Sequence, residues 1–277
     1  MSTKNLKTTR DFCVFNNRPQ IEAILKGFPL PQEEILRLIG IAEAHWYFDY
    51  GGDPTRPHAL LTSGKHSVGY INCPELFQYP LIKEVMAAQQ ARILMDAGIE
   101  FGSIDWVLGS PMAGITFSDS VAGFLGARSA YTEEKDGVKK LVRFGIKPGD
   151  TVLQIEELVT EATTLRAQQT ALMEATDGGA KLIPFVGIFF NRSGETKFGD
   201  QQYVSVVDQN MPRWTPEDCP HCRNGSEAIP PKKPHSNWVR LTTKPEPPLG
   251  WSCPSCQSGN PGSNTICQQC GTSKQMA

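Results

Sequence analysis

The stretch VLQIEELVTEATT, residues 152–164, decides the fold class. Its apolar beginning predicts a buried strand that delivers two adjacent carboxylates, Glu156 and Glu157, to its carboxyl end. A turn with three hydroxyls follows, at Thr160, Thr163 and Thr164, and a helix is predicted near Leu165. In open α/β sheets ligands bind at this edge, and amides at a helix N-terminus hold phosphate. The stretch predicts a phosphate cradle beside acids that bind a ribose diol, although the pattern alone also fits an acidic strand end with ordinary helix caps.

Around this stretch, short apolar runs are separated by segments that are long enough to form helices. The runs are DWVLG (105–109), DTVLQI (150–155) and LIPFVGIFF (182–190). This alternation predicts β-α-β units around a mainly parallel sheet, an α/β fold, over residues 58–211. Residues 1–57 are predicted to form an N-terminal helical segment, with a helix from Pro31 to about Ala44.

The composition changes after residue 211. Pro, Lys, Ser and Asn dominate residues 212–248, which predicts a proline-rich surface tail or linker. Residues 249–277 are too few to bury a core without an added staple. Their CxxC-x10-CxxC spacing closes a tetrahedral four-cysteine zinc site, with Cys253, Cys256, Cys267 and Cys270 as ligands. Two unrelated thiol pairs are the alternative.

The bulk composition bounds the class of protein. Of 277 residues, 39% are hydrophobic, and the formal net charge is −2. These values permit a packed core and give no basic field for nucleic acid or a membrane surface. The segment MSTKNLKTTRDF lacks an apolar run of signal-peptide length, and no segment approaches the length of a membrane span. We therefore expect a cytoplasmic protein with no membrane association.

Several segments resemble type I phosphoribosyltransferases, and among these orotate phosphoribosyltransferase, in the same order along the chain. The stretch at 152–164 resembles the phosphoribosyl pyrophosphate (PRPP) signature of the family. The other matching segments are HALLTSGKHSVGYIN (58–72), VLGSPMAGI (107–115), AYTEEKDG (130–137), LVRFGIKPGD (141–150), FFNRSG (189–194) and PEDCPHC (216–222). An ordered set of this kind is far less frequent by chance than any single motif. The resemblance implies the type I phosphoribosyltransferase fold, Mg²⁺ as a cofactor with PRPP, and a homodimer.

The resemblance also implies residue roles in joining PRPP to orotate. Glu156 and Glu157 would hold the ribose hydroxyls and influence Mg²⁺. Lys135, on a mobile loop, would stabilise charge on pyrophosphate across the dimer interface. Arg192 would face orotate, and Lys65 would meet pyrophosphate or orotate. Two loops would surround the phosphates: Thr160, Glu161, Ala162, Thr163 and Thr164 at the 5′-phosphate, and Ser110, Met112, Ala113 and Gly114 at pyrophosphate.

The chemistry explains why these residue types are needed. Displacement of pyrophosphate from the anomeric carbon passes through a cation-like ribose while negative charge collects on the leaving group. Amides, lysines and Mg²⁺ oppose that charge where it develops. No covalent nucleophile is required, and the sequence shows no convincing Ser/His/Asp or Cys/His set.

The sequence departs from the family pattern at three places. The acid pair is Glu-Glu where Asp-Asp or Glu-Asp is usual, and Gln154 interrupts the apolar strand. In the phosphate loop, Glu161 and Ala162 replace small residues that usually include glycine. A carboxylate opposes phosphate unless it turns away, and Ala is strained at any positive φ. An altered activity is therefore one hypothesis, although we expect Glu161 to face solvent.

The cysteine pairs raise separate questions. Trp251 and Asn260 make the last segment resemble a zinc finger of the Ran-binding-protein type, whose members bind single-stranded RNA or proteins. Because Lys274 is the only nearby cation, a protein partner or a structural role is favoured over RNA. Cys219 and Cys222 either join another ligand at a metal (His221, His235, Cys73 or Cys13) or are two inert buried thiols, and we favour inert thiols.

Three functions remain open from sequence. The favoured one is orotate phosphoribosyltransferase activity. A phosphoribosyltransferase acting on another base is the near alternative, because the PRPP signature does not report the base. A regulatory PRPP-binding protein with weakened catalysis is the third, and Glu161 is the residue that favours it.

Overall fold

The computed structural model describes residues 7–8, 29–48, 53–243, 251–260 and 264–273. The remaining residues, which include Cys13 and Lys274, lie outside the described part. Every helix within these ranges is too short or too polar to span a bilayer.

The described residues form helices and strands in an α/β pattern. The helices are α1 (Gln32–Ile41), α2 (Cys73–Phe77), α3 (Pro80–Asp96), α4 (Ala113–Leu125), α5 (Thr163–Ala175), α6 (Pro220–Arg223) and α7 (His235–Thr242). The strands are β1 (His45–Tyr47), β2 (His58–Leu60), β3 (His66–Ser67), β4 (Gly69–Ile71), β5 (Trp106–Gly109), β6 (Arg128–Tyr131), β7 (Glu133–Lys135), β8 (Val138–Lys140), β9 (Thr151–Val159), β10 (Lys181–Asn191), β11 (Lys197–Phe198), β12 (Gln201–Asp208), β13 (Arg213–Trp214), β14 (Ala228–Ile229), β15 (Trp251–Ser252) and β16 (Gly259–Asn260).

A six-stranded sheet in the order β11-β12-β10-β9-β5-β6 forms the centre of the fold. All neighbours are parallel except β11 and β12. The apolar runs become strands buried on both faces, which is the usual state of parallel strands covered by helices. The predicted mainly parallel α/β sheet is confirmed.

Successive residues of β9 point into different cores. Leu153 and Ile155 join the apolar cluster formed with α3 and α4, whereas Val152 packs in a second cluster with Leu172 of α5. Helices therefore cover both faces of the sheet. Gln154 also has a structural reason: its side-chain amide donates to the Leu165 carbonyl over 3.2 Å, at the start of α5. This unusual strand residue anchors the helix that follows the phosphate loop.

The composition-based prediction of a linker over residues 212–248 requires a correction, because residues 213–242 are folded. Strands β13 and β14 join β2 and β3 in a sheet of order β13-β3-β2-β14. Trp238 and Leu241 of α7 pack in a buried cluster with Trp46, whose indole N–H donates to the Leu241 carbonyl over 3.0 Å. A few large apolar residues between the prolines pack into this cluster and so hold the segment in the fold. The N-terminal region is likewise not only helical, because β1 pairs antiparallel with β4.

Candidate active site

Strand β9 brings the two predicted acids together beside Ser110. Glu156 is 3% exposed, and its Oε1 makes a very short hydrogen bond with the Ser110 hydroxyl, which also lies 2.9 Å from Glu157 Oε2. Burial, and then the charge of Glu157, raise the pKa of Glu156 well above its ordinary value. Since Ser110 has one hydroxyl proton, both contacts are satisfied when protonated Glu156 donates to Ser110 and Ser110 donates to Glu157.

The two acids therefore have different environments. The second oxygen of Glu156 is buried without a hydrogen-bond partner among the described residues, and Glu157 is only partly buried. Lys139 on β8 lies near enough to Glu156 for its charge to oppose the rise in pKa. Glu157 therefore has the more accessible carboxylate, and Glu156 is linked to it through Ser110.

The predicted pyrophosphate loop connects β5 to α4. Ser110 is buried, Met112 is 83% exposed, and α4 begins at Ala113. The peptide bond between Pro111 and Met112 is cis. A Cβ on Gly114 would lie 2.6 Å from both Glu157 Oε2 and Ser110 Oγ, so a side chain there would displace the acid. The loop and the acid pair thus form one packed unit.

The predicted phosphate loop ends β9 and begins α5 at Thr163. Ala162, the residue before the helix, has φ 54° and ψ 20°, and none of the described side chains caps the helix. The first amides of α5 are therefore available to an anion. A small cavity of about 20 Å³ lies at this turn, lined in part by Thr160, Thr163 and Thr164. Ala162 therefore has the positive φ at which an alanine is strained.

Glu161 is turned towards two cations. Its side chain is 50% exposed, its Oε1 lies 2.9 Å from Lys65 Nζ, and the same atom is 3.3 Å from Arg213 Nη1. The hydrogen bond from Lys65, and then the charge of Arg213, lower the pKa of Glu161. Glu161 is half-exposed, in line with the expected direction, but it is ion-paired rather than simply solvated. Lys65 contacts this acid in the structure.

A pocket of about 640 Å³ lies beside the phosphate loop and contains Thr160, Arg192 and Arg213 in its wall. Arg192 is 4% exposed, donates to Ser67 Oγ over 3.0 Å, and has an Nε–H without an acceptor. Burial, and then the charge of Arg213, lower its pKa to about 10, so the guanidinium stays charged at neutral pH. Within the described ranges no acidic side chain pairs with it. The pocket thus holds a buried cation that has no anionic partner among the described residues.

Lys135 lies on a separate hairpin formed by β7 and β8. Asp136 and Gly137 connect the strands with φ of 56° and 75°, as a two-residue type I′ turn requires. In the described part of the chain Lys135 makes no ion pair, and the structure does not bring it to the acid pair. Lys139, two residues after the turn, lines a groove of about 580 Å³ with Met112.

Sequence reasoning missed Arg213 and Lys139. Arg213 lies in the segment that composition assigns to a tail, and Lys139 lies in a charged hairpin where several lysines look alike. The alternation of side chains along β8 would have separated Lys139 from its neighbours, because adjacent strand residues face opposite sides.

The four predicted zinc ligands come together in the last described segment. Cys253 Sγ lies 3.5 Å from Cys270 Sγ, and Cys256 Sγ lies 3.6 Å from Cys267 Sγ. All four sulfurs are within 4.8 Å of one another. The Asn260 side-chain oxygen accepts from the Gln268 amide over 2.9 Å, which ties the first CxxC turn to the second.

Proteins with similar sequences are orotate phosphoribosyltransferases. The Thermotoga maritima protein of that name is 34% identical over 184 residues, which cover 66% of this chain and 92% of the relative. The protein of that name from a Thermoanaerobacter species is 34% identical over 204 residues, which cover 73% of this chain and 97% of the relative. No protein-family model matches the chain.

Two solved structures superpose partly on this chain. The Leishmania donovani UMP synthase has a TM-score of 0.49 at 19% identity, covering 69% of this chain and 38% of its own. The Aeropyrum pernix orotate phosphoribosyltransferase has a TM-score of 0.48 at 16% identity, covering 63% and 93%.

Proposed function

The chain belongs to the orotate phosphoribosyltransferase family, and on this premise we propose that it transfers the phosphoribosyl group of PRPP to orotate, giving orotidine 5′-monophosphate and pyrophosphate. The observation that carries the choice of base is Arg192, a buried guanidinium in a pocket beside the phosphate loop that has no anionic partner in the described part of the chain. Orotate carries a carboxylate, and a planar guanidinium binds carboxylates with paired hydrogen bonds. Arg213, Lys232 and Lys233 are further cationic residues of the same pocket wall.

The phosphate loop, which shares Thr160 with this pocket, and the acid pair support a role in PRPP binding. Amides at the start of α5, with the hydroxyls of Thr160, Thr163 and Thr164, hold the 5′-phosphate. Glu157 accepts from the ribose hydroxyls, and Ser110 and Glu156 hold its carboxylate in place. The loop from Ser110 to Gly114 leads into the N-terminus of α4, where amides face pyrophosphate. These roles place negative charge near helix N-termini, which stabilises it.

The acids fit a Mg²⁺ that arrives with the substrate. Among the described residues, no group of three or more metal-ligating side chains includes Glu156 or Glu157. Mg²⁺ in such sites is held by one or two carboxylates together with substrate phosphates. Glu157 is the accessible oxygen ligand, and Mg²⁺ when bound would neutralise charge on pyrophosphate. The protein's own acids would position the ribose.

One experiment separates the three functions that the sequence left open. Pyrophosphate release from PRPP is measured with orotate, uracil, hypoxanthine and adenine in parallel, with PRPP alone as the control. We expect release only with orotate, because Arg192 requires a carboxylate. Release with another base would replace orotate by that base. Binding of PRPP without release by any base would establish the regulatory alternative.

A substitution at Arg192 tests the assignment of the base pocket. Removing charge-assisted hydrogen bonds worth roughly 1.5–3 kcal/mol should raise the KM for orotate about 10- to 150-fold in Arg192→Met. The KM for PRPP should change little. Arg192→Lys keeps the charge without the planar fork and should fall between the two proteins. An equal rise in both KM values, or a melting temperature far below wild type, would contradict the assignment.

The hairpin with Lys135 supports a homodimer in which one chain completes the site of another. In a single chain Lys135 makes no ion pair within the described residues, while the hairpin that carries it is exposed. Lys135→Ala and Glu157→Gln should each lose most of the activity, Glu157→Gln by roughly 10- to 150-fold in kcat/KM. A mixture of the two variants, unfolded and refolded together, should recover activity, because one site of each mixed dimer is intact. No recovery would place Lys135 in its own chain's site or outside catalysis.

The last segment is proposed as a four-cysteine zinc finger of the Ran-binding-protein type. Its support is the approach of four sulfurs within 4.8 Å and the tie through Asn260. Thiolates held this way require a reducing compartment, which favours the cytoplasm. We assign the finger a protein partner rather than RNA, and an RNA-binding titration of the full chain in low salt tests this choice. Binding that weakens steeply with salt would favour RNA.

A further inference from the structure

A second cluster of metal-ligating side chains lies outside the candidate active site. It joins His58 and His66 of the β2–β3 hairpin to Cys219 and Cys222 of the C-terminal segment. His58 Nε2 is 3.4 Å from Cys219 Sγ, 3.6 Å from Cys222 Sγ and 3.1 Å from His66 Nδ1. His66 Nδ1 is 3.2 Å from Cys222 Sγ. His221 stays outside this cluster and packs against the ring of Trp214 at 5.2 Å.

We propose that these four side chains bind a structural Zn²⁺ through His58 Nε2, His66 Nδ1, Cys219 Sγ and Cys222 Sγ. Zinc takes sulfur at about 2.3 Å and imidazole nitrogen at about 2.0–2.1 Å in a tetrahedron, which sets the distances between ligand atoms at roughly 3.3–3.8 Å. Of the four distances given above, 3.4 and 3.6 Å lie within this range, and 3.1 and 3.2 Å lie up to 0.2 Å below it. From sequence alone we favour inert thiols at Cys219 and Cys222, and the structure leads us to propose instead that they bind metal.

Hydrogen bonding outside the cluster leaves a lone pair on His58 for the metal. Ser226 Oγ donates its only proton to the Arg56 carbonyl over 2.5 Å. It must therefore accept from His58 Nδ1, which lies 2.7 Å away. The ring proton is then on Nδ1, and Nε2 faces the cluster unprotonated. Histidines that ligate metals are held by an outer hydrogen bond of this type.

Hydrogen bonds alone do not account for the cluster. Both thiols and His66 approach the one lone pair of His58 Nε2, and one lone pair accepts a single good hydrogen bond. A cation between the four atoms satisfies all of them together. His58, His66 and Cys219 are buried, and four protein ligands leave no open position, so the metal is structural rather than catalytic.

The metal would stabilise the part of the active site where orotate is proposed to bind, which we call the base side. It links the hairpin that carries Lys65 and Ser67 to the segment that begins with Arg213. Ser67 contacts Arg192, and Arg213 lines the same pocket. If the proposed function holds, loss of this zinc should therefore raise the KM for orotate more than the KM for PRPP. The loop that would hold the PRPP phosphate lies between β9 and α5.

Zinc content of the full chain, purified without added metal or chelator, tests the proposal. We expect two zinc ions per chain in the wild type. Cys219→Ser/Cys222→Ser should hold one, and the matched finger variant Cys256→Ser/Cys270→Ser should also hold one. X-ray absorption at the zinc edge of the finger variant should show sulfur at about 2.3 Å and nitrogen at about 2.0–2.1 Å, two of each.

Each outcome decides between the alternatives. A finger variant without zinc, or with zinc bound only by sulfur, would overturn the second site, and it does so even if Cys219→Ser/Cys222→Ser fails to fold. Two zinc ions per chain in a folded Cys219→Ser/Cys222→Ser variant would also overturn it. The zinc content does not depend on turnover. If the wild type releases no pyrophosphate, the proposed function is refuted and the zinc result still stands. If Cys219→Ser/Cys222→Ser loses one zinc but changes the KM for orotate and the KM for PRPP equally, only the link to the base pocket is refuted.

Discussion

Replacing Ala162 by glycine should stabilise the protein at its phosphate loop. Ala162 has φ 54° and ψ 20°, a left-handed conformation that costs a residue with a Cβ roughly 1–2 kcal/mol. Glycine removes this strain but gives the unfolded chain more freedom, which costs about 0.4–1 kcal/mol. The difference favours glycine by up to about 1.6 kcal/mol, with about 0.8 kcal/mol at the middle of both ranges. The middle value corresponds to about 2–3 °C in melting temperature for a domain of this size.

The assay is thermal and urea unfolding of Ala162→Gly beside a matched control. Ala167 lies inside α5, where the same substitution should destabilise by about 0.5–1 kcal/mol. Opposite signs for two Ala→Gly changes five residues apart would isolate the effect of backbone conformation. Because the amides of the loop keep their positions, the KM for PRPP should stay within about twofold of wild type.

Two results would refute this reasoning. A fall in melting temperature like that of Ala167→Gly would mean that Ala162 is not left-handed in the folded protein. A gain in stability with a large loss of PRPP affinity would mean that the methyl group, rather than the amides, orders the loop for phosphate.

Three further predictions concern the acids of the site. Glu156→Gln should keep most activity, since a protonated acid and an amide are similar, whereas Glu157→Gln should lose roughly 10- to 150-fold in kcat/KM; the double variant should fold and lose transfer. Glu156 ionises in the unfolded chain above about pH 4 but at higher pH when folded, so stability falls as the pH rises between the two pKa values, and Glu156→Gln should gain more in melting temperature over wild type near neutral pH than near pH 4. Glu161→Gly should change the KM for PRPP by less than about fivefold, because the Glu161 carboxylate is half-exposed and ion-paired. A gain of roughly a hundredfold in PRPP affinity would favour the regulatory alternative.

The PRPP side of the site is predictable because it is local. The strand, both acids and the loop lie within residues 152–164, and an apolar run that ends in polar residues marks the edge of a parallel sheet. The sequence does not show that Glu156 and Glu157 differ. Their difference arises from Ser110, which β5 places beside them, and from the burial of one acid alone. Burial depends on the packed fold, so no local pattern reports it.

The base side of the site depends on contacts between distant parts of the chain. Cys219 and His58 meet across 161 residues, and Cys222 and His66 across 156. Composition reads residues 212–248 as solvated because prolines outnumber the apolar residues that bury the segment. Arg213, Cys219 and Cys222 belong to this return of the chain, and the sequence does not show that the return meets Arg192 in the pocket or His58 and His66 in the metal cluster. A phosphate loop can be recognised from one continuous segment, whereas the pocket that selects the base is assembled only when the two ends of the domain meet.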